Sequence, residues 1–200
     1  MSAPPIPKLP DGPGHRERLI AGLAASITER GYRATTITDV VRHARTSRRS
    51  FYEQFEDRDA CFLALFDALG DVLIEHVLRT VDPGAPWERQ VEVALAAYLD
   101  AIAAEPQLTV SFIREIPGLG DVGSARQRAA LEAFAKLVMR LVDTDEMRRS
   151  GVPPVAHDTA LMLVGGLREL VAYVVESGGT PAALKGTAAE VFKSVLNGPR

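Results

Sequence analysis

Between Thr36 and Phe55 the chain holds two helices, each too short to stand alone, joined by three residues and closed by a pair of phenylalanines. Isolated helices shorter than about 12–15 residues are marginal in water, so such a pair folds only against a further apolar surface. The start of the first helix is spelled out. Thr36 is an N-cap residue, and Asp39 stands three places later, where its carboxylate can reach back to the free backbone N–H groups. Ile37, Val40, Val41 and Ala44 then recur at i, i+3, i+4 and i+7, an apolar stripe of helical period. Arg45-Thr46-Ser47 forms the turn. Ser47 caps the second helix, in which Phe51 and Phe55 lie one turn apart and face the core. Arg49, Ser50 and Glu53 then point outward. Arg48 sits in the sparsely covered first turn, and Tyr52 lies on the flank with its hydroxyl free to reach out.

This is the arrangement with which a helix-turn-helix lays its second helix in the major groove of DNA. Charge favours the same reading. From Arg33 to Arg49 five arginines stand against one acid, Asp39, a net of +4, whereas the whole chain is −3. Residues 61–200 alone come to −5, from 13 basic and 18 acidic side chains. A local basic patch on an acidic chain is the footprint of a phosphate-binding surface. The plainer reading of an arginine cluster is a solvated helix face; its place on the outer side of a helix-turn-helix favours nucleic acid.

These residues resemble the TetR family of bacterial transcriptional regulators. The resemblance is carried by Gly31-Tyr32, Thr35-Thr36-Ile37, Ala44 followed by Ser47, Phe51-Tyr52-Glu53-Gln54-Phe55, Glu56-Asp57-Arg58-Asp59 and Leu63. It covers about a quarter of the chain and its combined spacing is highly specific. The remainder is similar only in being helical and of suitable length. The resemblance implies an all-α protein, with an N-terminal three-helix helix-turn-helix domain joined to a larger helical ligand-binding and dimerisation domain. It further implies a homodimeric, ligand-responsive regulator of the repressor type that leaves its operator when a small molecule binds. By motif position Arg48, Arg49 and Ser50 would read bases, Tyr52 and Arg58 would contact phosphates, and Thr36 would offer backbone amides. Thr38, Arg45 and Ser47 complete the DNA-binding set. Two residues depart from the family pattern. Arg45 replaces the turn glycine, and Val41-Arg42 replaces Ile-Ala. A side chain where glycine supplies a positive φ costs roughly 1 kcal/mol, so the turn is expected to be altered or mildly strained, and Arg45 adds a cation for the DNA backbone. His43 is expected to face solvent or DNA. Glu53 either accepts from a cytosine amine or solvates its helix.

Composition bounds the rest. Two hundred residues with 46% apolar content bury a full core, and no run approaches 18 uninterrupted apolar residues, so no membrane span is expected. Residues 1–14 carry five prolines and no apolar stretch, which predicts a disordered arm and not a secretory signal. Cys61 is the only cysteine; it excludes internal disulfides and thiolate metal clusters and reads as a packed small residue. A cytoplasmic location follows as an expectation. The four histidines are too dispersed for a metal site, and no cofactor or catalytic signature is expected.

Three divisions are predicted: the arm at 1–14, the DNA-binding domain at 15–60, and a helical ligand-binding and dimerisation domain at 61–200. Helices are expected over about 15–30, 58–81, 86–104, 124–143, 155–177 and 181–196, with a short segment at 107–116 leading into a glycine-rich loop. The helix near 155–177 is apolar nearly all round and holds Gly165-Gly166, which suggests a close backbone approach. Leu163, Leu167 and Leu170, with Leu184 and Val191 from the last helix, are expected at a two-fold interface. Phe66, Tyr98, Phe112, Phe134, Met139 and Met162 are the candidate lining of a pocket for a small apolar effector, with Asp100 and Gln107 either orienting it or facing water.

Two rival classes remain. Gly118-Leu119-Gly120-Asp121-Val122-Gly123 is a literal G-x-G-x-x-G after the β-prone Thr109–Ile113, which would suit a dinucleotide-binding enzyme. The context lacks a second strand, and a flexible interhelical loop is the better expectation. The other rival is a helical ligand-binding or scaffold protein without DNA binding, for which exposed Arg48, Arg49 and Tyr52 have no use.

Overall fold

Gly31 stops the first helix where the sequence places its end, its N–H bonding back to the Ile27 carbonyl at 2.7 Å. The computed structural model describes residues 14–198, so the expected arm lies outside the described residues except for Gly14. Among these residues there are ten α-helices and no strand. They are α1 (His15–Arg30), α2 (Ile37–His43), α3 (Arg48–Tyr52), α4 (Arg58–Thr80), α5 (Trp87–Ala103), α6 (Pro106–Glu115), α7 (Gly120–Val142), α8 (Asp145–Arg149), α9 (His157–Glu176) and α10 (Lys185–Asn197). Short 3₁₀ turns at Ile116–Leu119 and Pro181–Leu184 lead into α7 and α10. The chain forms two compact units, one of residues 14–72 with Gln107–Gln127 and the other of residues 73–106 with 128–198.

In the first unit Leu19, Leu23 and Ile27 of α1 are fully buried with Val40, Phe51, Phe62 and Leu65. The two short helices thus gain the apolar support they lack alone. Gly22 lets α1 and α2 touch: a Cβ there would stand 2.7 Å from the Val40 carbonyl oxygen and 2.9 Å from the Ala44 nitrogen. Tyr32 stacks on Phe62 with ring centroids 3.9 Å apart, and Phe112 packs on both Phe62 and Phe66.

The short segment at 107–116, whose Thr109–Ile113 reads as β-prone, is the helix α6. Pro106 opens it at a position where its missing N–H is harmless, and Leu108, Phe112 and Ile113 turn one face toward the core of the unit. Packing outweighs the modest helix aversion of Thr109 and Val110. No loop follows. The 3₁₀ turn feeds directly into α7, with Gly120 at φ +70 and Gly123 packed so tightly that a Cβ would strike the Ile116 carbonyl. Gly120 and Gly123 of the G-x-G-x-x-G therefore serve a turn and a close contact with the 3₁₀ turn. The dinucleotide reading loses its strand.

In the second unit α5 contributes Val91, Leu95, Leu99 and Ile102 to a core shared with Leu163 and Val171 of α9 and Leu184, Ala188, Phe192 and Leu196 of the last turn and helix. Lys185–Asp100 at 2.5 Å and Lys193–Glu92 at 3.4 Å tie α10 to α5 at the surface. The five-residue α8 was not anticipated. Thr144 caps it by accepting from the Met147 N–H at 3.2 Å, and Met147 plugs the core. Asp143, the acid that would have served a dinucleotide ribose, is bonded to Arg148.

Candidate DNA-binding surface and candidate ligand cavity

The helix-turn-helix is built from local hydrogen bonds. Thr36 and Asp39 form a reciprocal capping box: the Thr36 N–H and hydroxyl donate to the Asp39 carboxylate at 3.0 and 2.6 Å, and the Asp39 N–H donates to the Thr36 hydroxyl oxygen at 3.3 Å. These bonds hold the Asp39 carboxyl below its ordinary range. At the other end of α2 the Thr46 N–H bonds to the Val41 carbonyl at 3.0 Å and the Arg45 N–H to the Arg42 carbonyl at 3.3 Å. That pairing is a Schellman motif, which needs a left-handed residue after the cap. Arg45 supplies it at φ 49 and is the only non-glycine at positive φ among the described residues. The strain expected from the missing glycine is present.

Ser47 caps α3 by accepting from the Ser50 N–H at 3.1 Å, and its hydroxyl lies 3.0 Å from that of Ser50. Phe51 and Phe55 are buried, so Arg45, Thr38, Ser47, Arg48, Arg49 and Tyr52 stay on the exposed side. The Arg49 side chain is 89% exposed and pairs with Glu53 at 3.1 Å, while Arg48 donates to the Thr38 hydroxyl. Tyr52 is 59% exposed, its ring edge against Phe51.

Not every arginine of the basic run is available. Arg42 is bonded to Glu29 at 3.2 Å and Arg33 to Glu115 at 3.0 Å. Glu29 gathers Arg30, His43 and Arg42, which together hold its carboxyl down at about 2. His43, expected toward solvent or DNA, turns its ring nitrogen to Glu29 at 3.0 Å. Arg58, expected at the phosphates, is engaged by neighbours within its own unit. Its guanidinium lies 4.3 Å from the Tyr32 ring centroid, donates to the carbonyls of Thr35 at 2.8 Å and Tyr32 at 3.3 Å, and pairs with Asp59 at 3.4 Å. It clamps the loop between α1 and α2. Burial and the bond to Asp59 push the Tyr32 phenol far above its ordinary value. Cys61 is a packed residue as expected, and burial pushes its thiol up to about 12.

The second unit holds a partly open cavity of about 80 Å³, lined by residues of α4, α5, α7, α8, α9 and α10. Tyr98 and Phe134, edge to face at 5.8 Å, are the two anticipated residues that reach it. Phe66 and Phe112 belong to the core of the other unit. Met139 is half-buried outside the lining, and Met162 is 65% exposed. Met147 and Leu167 line the cavity instead. Asp100 is taken by Lys185, and Gln107 lies exposed in the first unit. Burial pushes the Tyr98 phenol up to about 12.

One lining residue had no signal in the sequence. Gln90 is 3% exposed, and its amide nitrogen donates to the carbonyls of Pro83 at 3.1 Å and Ala85 at 2.8 Å. Its Oε1 is buried without a hydrogen-bond partner among the described residues. An orphaned acceptor of this kind costs about 1–3 kcal/mol. A glutamine one turn into a helix looks the same in sequence whether it faces water or a cavity.

Leu163 and Leu184, expected at an interface, are buried in the core of their own unit, and Leu167 is partly buried at the cavity. Leu170 and Val191 are exposed, together with Met162 and the 66% exposed Tyr173. At Gly165 and Gly166 an added methyl would meet nothing, so the close approach expected there is not made by the described residues of this chain. No three His, Cys, Asp or Glu side chains gather as a metal site, and no helix is long and apolar enough to cross a membrane, among the described residues.

Residues 19–65 match the model of a family described as bacterial regulatory proteins, tetR family. An uncharacterised HTH-type transcriptional regulator, YhgD of Bacillus subtilis (strain 168), is 28% identical over 108 residues, 54% of this chain and 56% of that protein. The chain thus spans little more than half the length of this relative. The HTH-type transcriptional repressor DhaR of Mycobacterium sp. (strain GP1) is 24% identical over 148 residues, 72% of this chain and 75% of its own length. The structure of the transcriptional regulator FadR from Bacillus subtilis, in complex with stearoyl-CoA, superposes with a TM-score of 0.73 at 15% identity, covering 92% of this chain and 98% of that one. That likeness is one of fold.

Proposed function

We propose that this chain, whose residues 19–65 belong to the tetR family of bacterial regulatory proteins, is a cytoplasmic, ligand-responsive transcriptional regulator. It binds an inverted-repeat operator as a homodimer and is released by a small apolar effector, acting by binding and not by catalysis. Residues 15–60 serve as the DNA-binding domain and 61–200 as the ligand-binding and dimerisation domain.

The observation that carries the DNA-binding reading is the first turn of α3, where Arg48 and Arg49 stand exposed behind a Ser47 cap with Arg45 and Tyr52 beside them. Arg48, Arg49 and Ser50 are the base readers, Tyr52 and Arg45 meet phosphates, and the capped N-terminus of α2 at Thr36 offers backbone amides. A helical scaffold without DNA binding would have no use for this exposed set. The anisotropy of a labelled mixed-sequence duplex, titrated between about 50 and 200 mM salt, separates the two: a regulator that neutralises Z phosphates loses affinity with a slope near −0.9Z. A scaffold shows no binding at the lowest salt.

The effector reading rests on the apolar cavity in the second unit, with Tyr98 and Phe134 in its wall. The stearoyl-CoA in the Bacillus subtilis FadR structure supports an acyl-bearing compound. In the scheme implied by the family, the ligand changes the separation of the two DNA-reading heads. It can shift that equilibrium only by its difference in affinity for the two states. Lipophilic compounds raise the melting temperature and release DNA, and Phe134→Ala blunts both effects without preventing dimerisation.

A further inference from the structure

Two arginines open α3, and their guanidinium groups are held differently. Arg48 donates from Nη2 to the Thr38 hydroxyl of α2, whereas Arg49 donates from Nε to the Glu53 carboxylate one turn on, at 3.1 Å. Of the two, only Arg49 has both terminal nitrogens unengaged among the described residues. We propose that Glu53 is a positioning residue for sequence reading: by holding Nε it aims the Nη edge of Arg49 at a guanine, so that the pair reads the base. This rests on α3 being the DNA-reading helix.

Glu53 does little for the helix itself. It stands at the C-terminal end of α3, where a carboxylate opposes the helix dipole. An arginine four residues ahead of an acid is also the less stabilising order of such a pair. For DNA binding in general the acid is a burden. Glu53 is exposed near Arg48 and Arg49, where an approaching duplex brings phosphates, and like charges set side by side cost affinity. Its favourable contact is the one with Arg49. The Arg49 side chain is otherwise in the open, so Glu53 is what sets its direction. A guanidinium is a rigid planar fork, and fixing its Nε–H fixes the line of the remaining edge. That edge carries paired N–H groups that suit guanine O6 and N7. An arginine without such a partner is free to turn to a phosphate, which adds affinity for every sequence and discrimination for none. Glu53 therefore weakens binding to DNA at large while favouring the one orientation that distinguishes a base.

The probes are the duplex that the unmodified full-length protein selects from a randomised library, the same duplex with A·T for G·C at the base pair where Arg49→Ala loses preference, and a mixed-sequence duplex. In competition binding, Glu53→Gln lowers the preference for G·C about threefold or more, at that base pair alone. The same variant binds the mixed-sequence duplex more tightly, with a salt slope steeper by about one unit as Arg49 turns to a phosphate. Glu53→Asp, which keeps the charge on a shorter stem, loses the same preference. In an Arg49→Ala background Glu53→Gln changes the preference no further. Unaltered preference in both Glu53→Gln and Glu53→Asp overturns the proposal and leaves Glu53 a solvating acid. So does a loss at a second base pair that persists in Arg49→Ala, which would make Glu53 itself a reader of cytosine. If the unmodified protein binds no duplex, the DNA-reading role of α3 falls, and the role of Glu53 with it.

Discussion

Arg45 and Arg58 carry the same charge into opposite situations. Arg45 is held at a left-handed φ by the Schellman bonds at the end of α2, a conformation that costs a side-chain-bearing residue about 1–2 kcal/mol. Glycine relieves that strain and returns about 0.4–1 kcal/mol as unfolded-chain entropy. Arg45→Gly therefore raises stability by roughly 0.5–1 kcal/mol, seen as a higher urea midpoint, while removing one cation from the DNA-facing side. An unchanged or lower midpoint would mean the turn carries no strain. Arg58 is folded into the domain, where two carbonyls, an aromatic face and Asp59 hold it. Arg58→Ala should cost about 1–3 kcal/mol of stability and leave the salt dependence of DNA binding unaltered. A slope flattened by about one unit would mark it as a phosphate contact after all. Its position in the motif resembles that of a phosphate ligand, and only the placement of Tyr32 and Thr35 reveals the clamp.

At the level of elements, the corner between α1 and α2 is tied by acids. Bonds from Arg30, His43 and Arg42 hold Glu29 at about 2, and bonds from Thr36 hold Asp39 below its ordinary range. Both carboxyls are depressed in the folded state, so their contribution is complete above the unfolded value near 4.5 for Glu29 and is lost as pH falls toward 2. Denaturant midpoints should fall across that window, and Glu29→Gln should flatten the fall; exposure and salt keep the effect small. An acid limb identical in Glu29→Gln would mean that Glu29 contributes nothing to stability in that window. The elements also differ in how far sequence reaches. The box at Thr36 and Asp39, the Ser47 cap and the Phe51–Phe55 pair are local devices, so α2 and α3 were legible from spacing alone. Helix α6 was not, because β-branched Thr109 and Val110 mask a face that only packing rewards. The five-residue α8 is too short to carry a period. On α9, apolar nearly all round, no pattern separates Leu163, which the unit buries, from Leu170, which it exposes. Gln90 was missed for a similar reason, since its burial depends on where the Pro83–Ala85 carbonyls fall.

For the whole molecule, Met162, Leu170 and Tyr173 on α9 and Val191 on α10 are exposed apolar residues, and the proposed dimer is expected to cover them. Leu170→Asp combined with Val191→Asp should halve the sedimenting mass and abolish binding to a full operator together. A monomer that binds the full operator with unchanged affinity would rule out the dimer. Leu167 is unsuitable for this test, because a charge there would enter the cavity. If the dimer presents two α3 helices on one face of a duplex, the half-sites lie about 34–36 Å apart or at a multiple of that distance. Selection of duplexes from a randomised library shows whether the first turn of α3 reads base sequence. The unmodified protein should enrich an inverted repeat, and Arg49→Ala should lose preference at one symmetry-related base pair in each half-site, a change of about 1–3 kcal/mol there. Enrichment of no motif by the unmodified protein, or of an identical motif by Arg49→Ala, would mean that α3 does not read the bases through Arg49.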